Sequence, residues 1–262
     1  MKPSAHSGQR QPPLSGRRIV VTRAAAQANE LSGRLRELGA EVIELPAIEI
    51  RPPSDFRPLD AAIARLSGYD WLIFTSANGV RSFLDRVKTC GGDLRGLRAR
   101  ICAIGPATRR ALEAAHLKVD LMPSEYVAES LVQAFAGEDL TGRRILLPRA
   151  AGAREAAPAE LRRRGAEVEV VEAYRSVPPE DLPSRARRIF GSGLKPDWVT
   201  FTSASTVKHL VEAAGARALE GVRIASIGPI TSAAVRRYGL EVTVEARQYT
   251  AEGLIEAILG AA

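Results

Sequence analysis

The chain has 262 residues, of which 45% are hydrophobic and 26% charged, a composition typical of globular proteins. No apolar run reaches the ~18 residues that a membrane span requires, and the N-terminus lacks the apolar segment of a signal peptide. The two cysteines and three histidines fall in no metal-binding spacing, so a zinc site is not expected, and the cysteine usage favours a cytoplasmic location. At roughly 150 residues per domain, the length predicts about two domains.

The net charge of +7 indicates an anionic partner, but its distribution does not favour nucleic acid. Residues 1–18 contain four Lys or Arg residues and no acidic ones, and most of this stretch, residues 1–15, is predicted to be a disordered tail. In the remainder, basic and acidic residues interleave, and aromatic residues for base stacking make up only 5% of the chain. We therefore expect neither a nucleic-acid partner nor a membrane partner.

The predicted elements alternate between strand and helix along the first half of the chain. Short apolar runs without in-and-out alternation are typical of parallel strands that are covered on both faces. The segments between them have apolar residues at helical spacing, as at Leu31, Leu35 and Leu38. This alternation predicts an α/β fold with two domains of doubly wound parallel sheet. The predicted strands of the first half are Ile19–Thr22, Val42–Leu45, Trp71–Thr75, Ile101–Ile104 and Val119–Met122.

Two apolar runs, Val42–Ile50 and Val168–Val177, are long for strands of small domains. They occupy equivalent positions in the two halves of the chain. We therefore expect each to form one long strand and both to cross between the domains.

The second half of the chain repeats the first. Gly16–Ala24 matches Gly142–Ala150 at six of nine positions, and Tyr69–Val80 returns as Pro196–Val207. The sequence I-G-P occurs at 104–106 and again at 227–229. Two copies of one unit of roughly 120 residues therefore make up nearly the whole chain.

Four turns of the repeat are candidates for ligand binding. Ligands of open α/β sheets bind at the carboxyl ends of the strands, where helix N-termini offer unpaired N–H groups. The hydroxyl-rich turns are Phe74–Gly79 and Phe201–Thr206, and the Gly-Pro turns begin at Gly105 and Gly228. Such turns suit carboxylates or phosphates, although each alone is also the sequence of an ordinary helix cap.

Three further side chains are candidates on other grounds. Arg23 and Arg149 follow equivalent strands and either clamp a carboxylate or form ordinary ion pairs. Tyr174, in the second long run, has no counterpart in the first half and is either a functional phenol or a residue at the edge of the core. The chain has no G-x-x-x-x-G-K-[ST] loop and no G-x-G-x-x-G or G-x-S-x-G sequence at a strand end, which disfavours common NTPases, dehydrogenases and hydrolases.

Several motifs occur in a fixed order between residues 16 and 259: T-S-A-N-G-V and T-S-A-S-T-V, the paired I-G-P-x-T sequences, Y-V-A-E-S-L and Y-T-A-E-G-L, and V-E-A-Y-R-S-V around Tyr174. This combination resembles the uroporphyrinogen-III synthase family. The resemblance implies two α/β domains from an internal duplication, joined by a two-stranded antiparallel linker. Domain one would comprise residues 16–45 with 178–262, domain two residues 51–170, and the linker strands residues 46–50 and 171–177.

The resemblance also implies an enzyme, a hydro-lyase that cyclises hydroxymethylbilane to uroporphyrinogen III with loss of water and inversion of ring D. The substrate is a linear tetrapyrrole with eight carboxylates, and no cofactor is expected. Tyr174 matches the tyrosine of this family that is thought to help the hydroxyl group leave, and is the predicted catalytic residue. The predicted substrate-binding residues are Arg23, Thr75, Ser76, Ala77, Asn78, Gly105, Pro106, Tyr126, Arg149, Thr202, Ser203, Ala204, Ser205, Gly228 and Pro229.

Fold alone does not establish activity, so a second function stays open. A synthase-like module that binds a carboxylated ligand without turnover would have the same two domains. As partners we expect the tetrapyrrole and a transient contact with the enzyme of the preceding step, with the chain acting as a monomer.

Overall fold

The computed structural model describes residues 11–123, 128–153, 155–191 and 193–261. Within these ranges the chain forms ten strands and ten α-helices. The strands are β1 Arg18–Val21, β2 Glu41–Glu44, β3 Glu49–Arg51, β4 Trp71–Phe74, β5 Arg100–Ala103, β6 Arg144–Ala150, β7 Glu167–Val177, β8 Trp198–Phe201, β9 Arg223–Ser226 and β10 Val244–Glu245. The helices are α1 Ala25–Glu37, α2 Arg57–Ala64, α3 Ala77–Thr89, α4 Pro106–Glu113, α5 Ala128–Ala134, α6 Ala156–Arg163, α7 Leu182–Phe190, α8 Ala204–Ala214, α9 Pro229–Arg237 and α10 Ala251–Leu259.

The chain divides into two compact units. Unit 1 comprises the chain up to Glu49 and from Val177 onward, and unit 2 comprises Ile50–Ser176. Each unit contains one sheet, in the order β10-β9-β8-β1-β2 in unit 1 and β3-β7-β6-β4-β5 in the sheet of unit 2. The pairs β1–β2, β1–β8, β8–β9 and β9–β10 are parallel, as are β4–β5, β4–β6 and β6–β7. The predicted α/β class with two mostly parallel sheets is confirmed.

Both faces of each sheet carry a hydrophobic core, which explains the runs of successive apolar residues in the central strands β1 and β4. In β1, Ile19 and Val21 pack with α1 and α10, whereas Val20 packs on the opposite face with α7 and α8. In β4, Leu72 and Phe74 belong to one cluster and Trp71 and Ile73 to the other. Successive strand residues point to opposite faces, so a strand covered on both sides must be apolar at every position.

Two of the predicted strands are wrong in extent. Val42–Ile50 is not one long strand, because β2 ends at Glu44 and β3 begins only at Glu49. Pro46 lies in the gap and has no N–H to contribute to a ladder. Val119–Met122 forms only a single parallel bridge, at Leu121 with Cys102.

The predicted tail needs correction, and part of the predicted linker falls within unit 2. The tail was expected to include residues 1–15, but Leu14 is fully buried in the core of unit 1, and its N–H donates to the Leu38 carbonyl. The end of that segment therefore belongs to the fold, and residues 1–10 lie outside the described residues. Residues 171–176, assigned to the linker, lie in unit 2, where β3 is the neighbour of β7.

An aspartate at the start of one strand ties three strands together in each unit. In unit 2, the Asp70 carboxylate accepts hydrogen bonds from the Arg144 N–H at 2.8 Å and from the Arg143 guanidinium at 2.9 Å. Its backbone bonds to Arg144 and Arg100, at the starts of β6 and β5. Asp197 has the same arrangement in unit 1, with Arg18 and Arg17 bound by its carboxylate. This contact is therefore part of the duplicated fold rather than of a ligand site.

Asp70→Ala should lower the free energy of unfolding by about 1–2 kcal/mol, because it leaves the Arg144 N–H without its carboxylate partner. The Arg144 N–H and the Arg143 guanidinium hold the pKa of Asp70 below its ordinary value. The stabilisation is therefore present above the unfolded pKa of ~3.9 and is lost as the pH falls through the lowered folded pKa. Urea unfolding at neutral and acidic pH measures both effects.

Asp93→Ala is the control, because the Asp93 carboxylate is exposed and its hydrogen bonds within the described residues go to Arg95, two residues along the chain. An Asp70→Ala loss no larger than the Asp93→Ala loss would contradict a role for Asp70 in joining the strands.

Candidate active site

The strand order places a ligand-binding edge in each unit. In unit 2, β6 and β4 are neighbours in the sheet. The strand that follows β6 in the chain, β7, lies on one side of this pair, and the strand that follows β4, β5, lies on the other side. In unit 1 the same reversal lies between β1 and β8. Ligands of open α/β sheets bind where the order reverses, outside the carboxyl ends of the strands. The turns after β4, β6, β1 and β8 are therefore the candidate site regions, and most of the predicted site residues lie in them.

The turn after β4 is built around Ser76. Ser76 is the N-cap of α3, and its hydroxyl oxygen accepts a hydrogen bond from the Gly79 N–H at 3.0 Å. Thr75 precedes it, and Ala77 and Asn78 form the start of the helix. The Asn78 side-chain oxygen accepts a hydrogen bond from Arg81 at 3.3 Å. The helix start thus presents N–H groups at the edge of the sheet, where a carboxylate would be favoured.

The turn after β8 has the same cap with a different partner. Ser203 is the N-cap of α8, and its hydroxyl oxygen accepts from the Thr206 N–H at 3.2 Å. The Thr206 hydroxyl oxygen accepts from the Ser203 N–H at 3.3 Å, which completes a capping box. Thr202, Ala204 and Ser205 flank this cap. In unit 1 the hydroxyl oxygen and the N–H of this serine therefore both take part in capping.

Tyr174 is brought to the turn after β4. Its side chain is only 7% exposed, and its phenol oxygen lies 2.9 Å from the Ser76 hydroxyl oxygen. A register shift between β6 and β7 leaves Ala173 as an extra residue, so that Ala173 and Tyr174 are both buried in one core cluster. Regular alternation would place these neighbours on opposite faces, and such bulges turn side chains next to active sites.

The Tyr174 phenol is a neutral proton donor at physiological pH. Burial raises the pKa of Tyr174 above its ordinary value, and the hydrogen bond with Ser76 acts in the opposite direction without cancelling the effect of burial. Since an unperturbed phenol already titrates near ~10, Tyr174 keeps its proton throughout the neutral range.

The two predicted arginines lie at equivalent strand ends. Arg149, in β6, is only 6% exposed and forms an ion pair with Glu155, whose side chain is exposed. Arg23 follows β1 and is half-buried. In the structure Arg149 therefore forms an ion pair. A substrate carboxylate that bound to this arginine would compete with Glu155.

The two Gly-Pro turns differ in backbone conformation. Gly105 has φ +87° as the N-cap of α4, with Pro106 as the first helical residue. Gly228 has an extended φ of 166° as the N-cap of α9, followed by Pro229. A Cβ at Gly228 would lie 2.9 Å from the ring of Tyr249. Gly105 is therefore required by its dihedral angles and Gly228 by an adjacent aromatic ring.

The predicted residues fall into two sets, one in each unit. Unit 2 holds Tyr174 with Arg149 and the turns of Ser76 and Gly105, and unit 1 holds Arg23 with the turns of Ser203 and Gly228. Of these residues, Ser76 and Tyr174 are joined directly by a hydrogen bond. Tyr126 lies outside the described residues. Within the described part of the chain, no group of His, Cys, Asp and Glu could hold a metal ion, and no helix is long and apolar enough to cross a membrane.

Comparison with known proteins identifies the family. The model of the family described as uroporphyrinogen-III synthase HemD matches residues 29–256. A uroporphyrinogen-III synthase of Synechococcus elongatus is 38% identical over 254 residues, which cover 94% of this chain and 96% of that protein. The chain belongs to the uroporphyrinogen-III synthase family.

Solved structures of other family members share the fold. A mutant uroporphyrinogen III synthase of Thermus thermophilus superposes with a TM-score of 0.68 at 21% identity, covering 93% of this chain and 98% of that one. A uroporphyrinogen-III synthetase of Helicobacter pylori gives a TM-score of 0.62 at 22% identity, covering 94% of this chain and all of that one. At these identities the likeness shows the synthase fold alone.

Two exposed apolar side chains beside Gly228 were not among the predicted synthase site residues. Tyr249 and Ile230 are each 42% exposed, although both are large and apolar. They flank the turn after β9, at the carboxyl edge of the sheet of unit 1. Exposed apolar side chains that lie together mark a ligand or partner contact more often than isolated ones do. The repeated Y-x-A-E sequence contained this signal for Tyr249, whereas the exposure of Ile230 could be seen only in the structure.

Gly105→Ala should lower the free energy of unfolding by about 1–3 kcal/mol, because the positive φ at ψ 159° is open to glycine and strained for alanine. Gly228→Ala should cost less, because its φ suits any residue and the crowding ring of Tyr249 is exposed. In the Gly228→Ala protein, the second substitution Tyr249→Ala should remove the crowding ring and so restore the stability that Gly228→Ala had cost. Urea unfolding of the three variants checks the order, and equal losses for the two single glycine variants would contradict it.

Proposed function

We propose that this chain is an active uroporphyrinogen-III synthase, a hydro-lyase that converts hydroxymethylbilane to uroporphyrinogen III. Family membership and the names of its relatives support this activity. Within the structure, one observation carries the proposal: the buried, protonated phenol of Tyr174 lies against Ser76 at the end of β4. An acid within hydrogen-bond reach accelerates loss of a hydroxyl group, and a phenol at this edge supplies one.

The substrate carboxylates would bind at the strand ends. The N-termini of α3 and α4 in unit 2, and those of α8 and α9 in unit 1, offer backbone N–H groups and the positive ends of helix dipoles. The hydroxyl groups of the turns after β4 and β8 add further donors. This mode of binding needs no large excess of positive charge, in keeping with a chain whose basic residues are largely interleaved with acidic ones.

The chemistry begins with departure of the terminal hydroxyl group. Tyr174 gives its proton to the leaving oxygen, the carbon–oxygen bond breaks with its electron pair on that oxygen, and water departs. Ring A is left as an electrophilic azafulvene that keeps its N–H proton and is therefore a cation, and the substituted carbon of ring D attacks it to give a spiro intermediate. This intermediate fragments and recloses with ring D inverted. The substrate also closes by itself to the type I isomer, so the protein must chiefly hold the chain in the geometry for spiro attack.

The direct test supplies freshly generated hydroxymethylbilane to the purified protein and resolves the isomers of the product. We expect the type III isomer to dominate and to form faster than the type I isomer forms in the absence of protein. Formation of the type I isomer alone, at the protein-free rate, would contradict the proposal. If tetrapyrrole binding persisted in that case, the non-catalytic binding module would be the correct function.

Tyr174→Phe should lower kcat by about 100-fold or more, because the variant keeps the ring but loses the acid. The share of type I product should rise as spontaneous closure competes. Since burial raises the pKa of Tyr174, the contribution of the phenol should be lost only as the pH rises beyond about 10. Isomer-resolved kinetics as a function of pH measure all three effects.

Tyr238→Phe is the matched control, since Tyr238 lies at the C-terminal end of α9 and away from the strand edges. We expect wild-type kinetics for this variant. Wild-type rate and isomer ratio in Tyr174→Phe would remove Tyr174 from the mechanism.

A further inference from the structure

The Ser76 hydroxyl has a defined set of hydrogen-bond partners. Among the described protein groups it has two, the Gly79 N–H at 3.0 Å and the Tyr174 phenol oxygen at 2.9 Å. A backbone N–H can only donate, so Ser76 accepts from Gly79. The serine proton then has one protein acceptor, the oxygen of Tyr174. Of the two directions that the 2.9 Å distance allows, donation from Ser76 to Tyr174 is the one that gives the serine proton a protein acceptor.

We infer that Ser76 is a positioning residue that fixes the direction of the Tyr174 proton. Because Ser76 donates to the phenol oxygen, the phenol proton is turned away from Ser76 and is available to the leaving hydroxyl group. This inference rests on the proposed function and adds a residue to it. Capping of α3 alone requires only that Ser76 accept a hydrogen bond, so donation to Tyr174 is a second role of the same hydroxyl.

The direction of this chain of donors favours proton transfer. When Tyr174 has given its proton to the departing oxygen, the phenolate is stabilised by the Ser76 proton, which is already directed at it. Ser76 is held in turn by the N-terminus of α3, whose dipole favours negative charge nearby. The proton lost from ring D on reclosure restores the phenol, so the cycle closes without another reagent.

The turn is fixed by close backbone contacts. A Cβ at Gly79 would lie 3.3 Å from the Pro148 carbonyl oxygen and 3.3 Å from the Ser76 hydroxyl oxygen, so the first turn of α3 lies tightly against β6. This packing leaves Ser76 little freedom to move relative to β6 and β7. The Tyr174 phenol consequently meets a hydroxyl whose place is determined by the fold.

The duplicate turn in unit 1 shows that the cap itself does not need a tyrosine. Ser203 caps α8 with the same acceptor geometry toward the Thr206 N–H. In the described residues its hydroxyl contacts no phenol, and Thr206 supplies the second half of a capping box. Only the copy in unit 2 has glycine at the corresponding helix position together with Tyr174 opposite. The two copies of the turn therefore differ at the place where Tyr174, the predicted acid, contacts the capping serine.

Three substitutions of Ser76 separate the two roles. Ser76→Ala removes both, Ser76→Thr keeps both, and Ser76→Asp keeps the cap but can only accept at neutral pH, so that it draws the Tyr174 proton toward itself. We expect kcat near the wild-type value for Ser76→Thr and roughly 10- to 100-fold lower for Ser76→Ala, as for loss of one hydrogen bond to a charged group. Ser76→Asp should be as slow as Ser76→Ala or slower, although it is the more stable of the two.

The order of kcat values distinguishes positioning from capping. If Ser76 positions the phenol, kcat should be higher in Ser76→Thr than in Ser76→Ala, and kcat in Ser76→Asp should be no higher than in Ser76→Ala. If Ser76 only caps the helix, kcat should be higher in both Ser76→Thr and Ser76→Asp than in Ser76→Ala. Thr250→Ala removes a similar cap, on α10, where Thr250 accepts from the Gly253 N–H at 3.1 Å. We expect this control to lose stability comparable to Ser76→Ala while keeping wild-type kcat.

Kinetics of Ser76→Asp equal to wild type, or of Ser76→Ala equal to wild type while Tyr174→Phe is impaired, would overturn the inference and leave the proposed function intact. Wild-type protein that forms no type III isomer would overturn the proposed function itself. Urea unfolding of every variant ensures that the kinetics compare folded proteins.

Discussion

The hydrogen bond between Ser76 and Tyr174 links the fold of unit 2 to its chemistry. One partner is the N-cap of α3 at the end of β4, and the other reaches it from β7, across the end of β6. Three strands and a helix must therefore be in register before the phenol meets the serine. Burial keeps the phenol protonated, and the serine determines where that proton points.

The two units share the features that build the fold, and they differ at the turn that holds the candidate acid. Both units repeat the strand order, the aspartate that joins three strands, and the serine cap at the switch of direction. In unit 1, Thr22 lies where unit 2 has Pro148, and its hydroxyl bonds to the Thr200 carbonyl across β1 and β8. In unit 2 the corresponding ladder between β6 and β4 ends at Leu146, and α3 packs against the Pro148 carbonyl instead.

Periodicity and repetition predicted the fold class, because strand segments covered on both faces must be apolar at successive positions, as Ile19–Val21 and β4 are. Pro46 could have predicted the break between β2 and β3. The apolar residues on both sides of it favoured one continuous strand instead. The burial of Leu14 depends on contacts with distant residues, and no local pattern carries it. Tyr174 was found through its absence from the other copy, whereas its serine partner depends on a bulge in β7 that only the three-dimensional register reveals.

The proposed positioning of the phenol depends most on donation from Ser76 to Tyr174, which can be measured without substrate. The chain has five tyrosines, so ¹³C labelling of the tyrosine ring carbon that bears the hydroxyl gives a simple NMR spectrum, and Tyr174→Phe assigns the signal of Tyr174. A titration of that signal reports the pKa of the phenol in wild-type protein and in Ser76→Ala. Donation from Ser76 predicts a wild-type pKa above the ordinary value of ~10 and a further rise in Ser76→Ala, because the donor to the phenolate is lost. An unchanged or lower pKa in Ser76→Ala would contradict it.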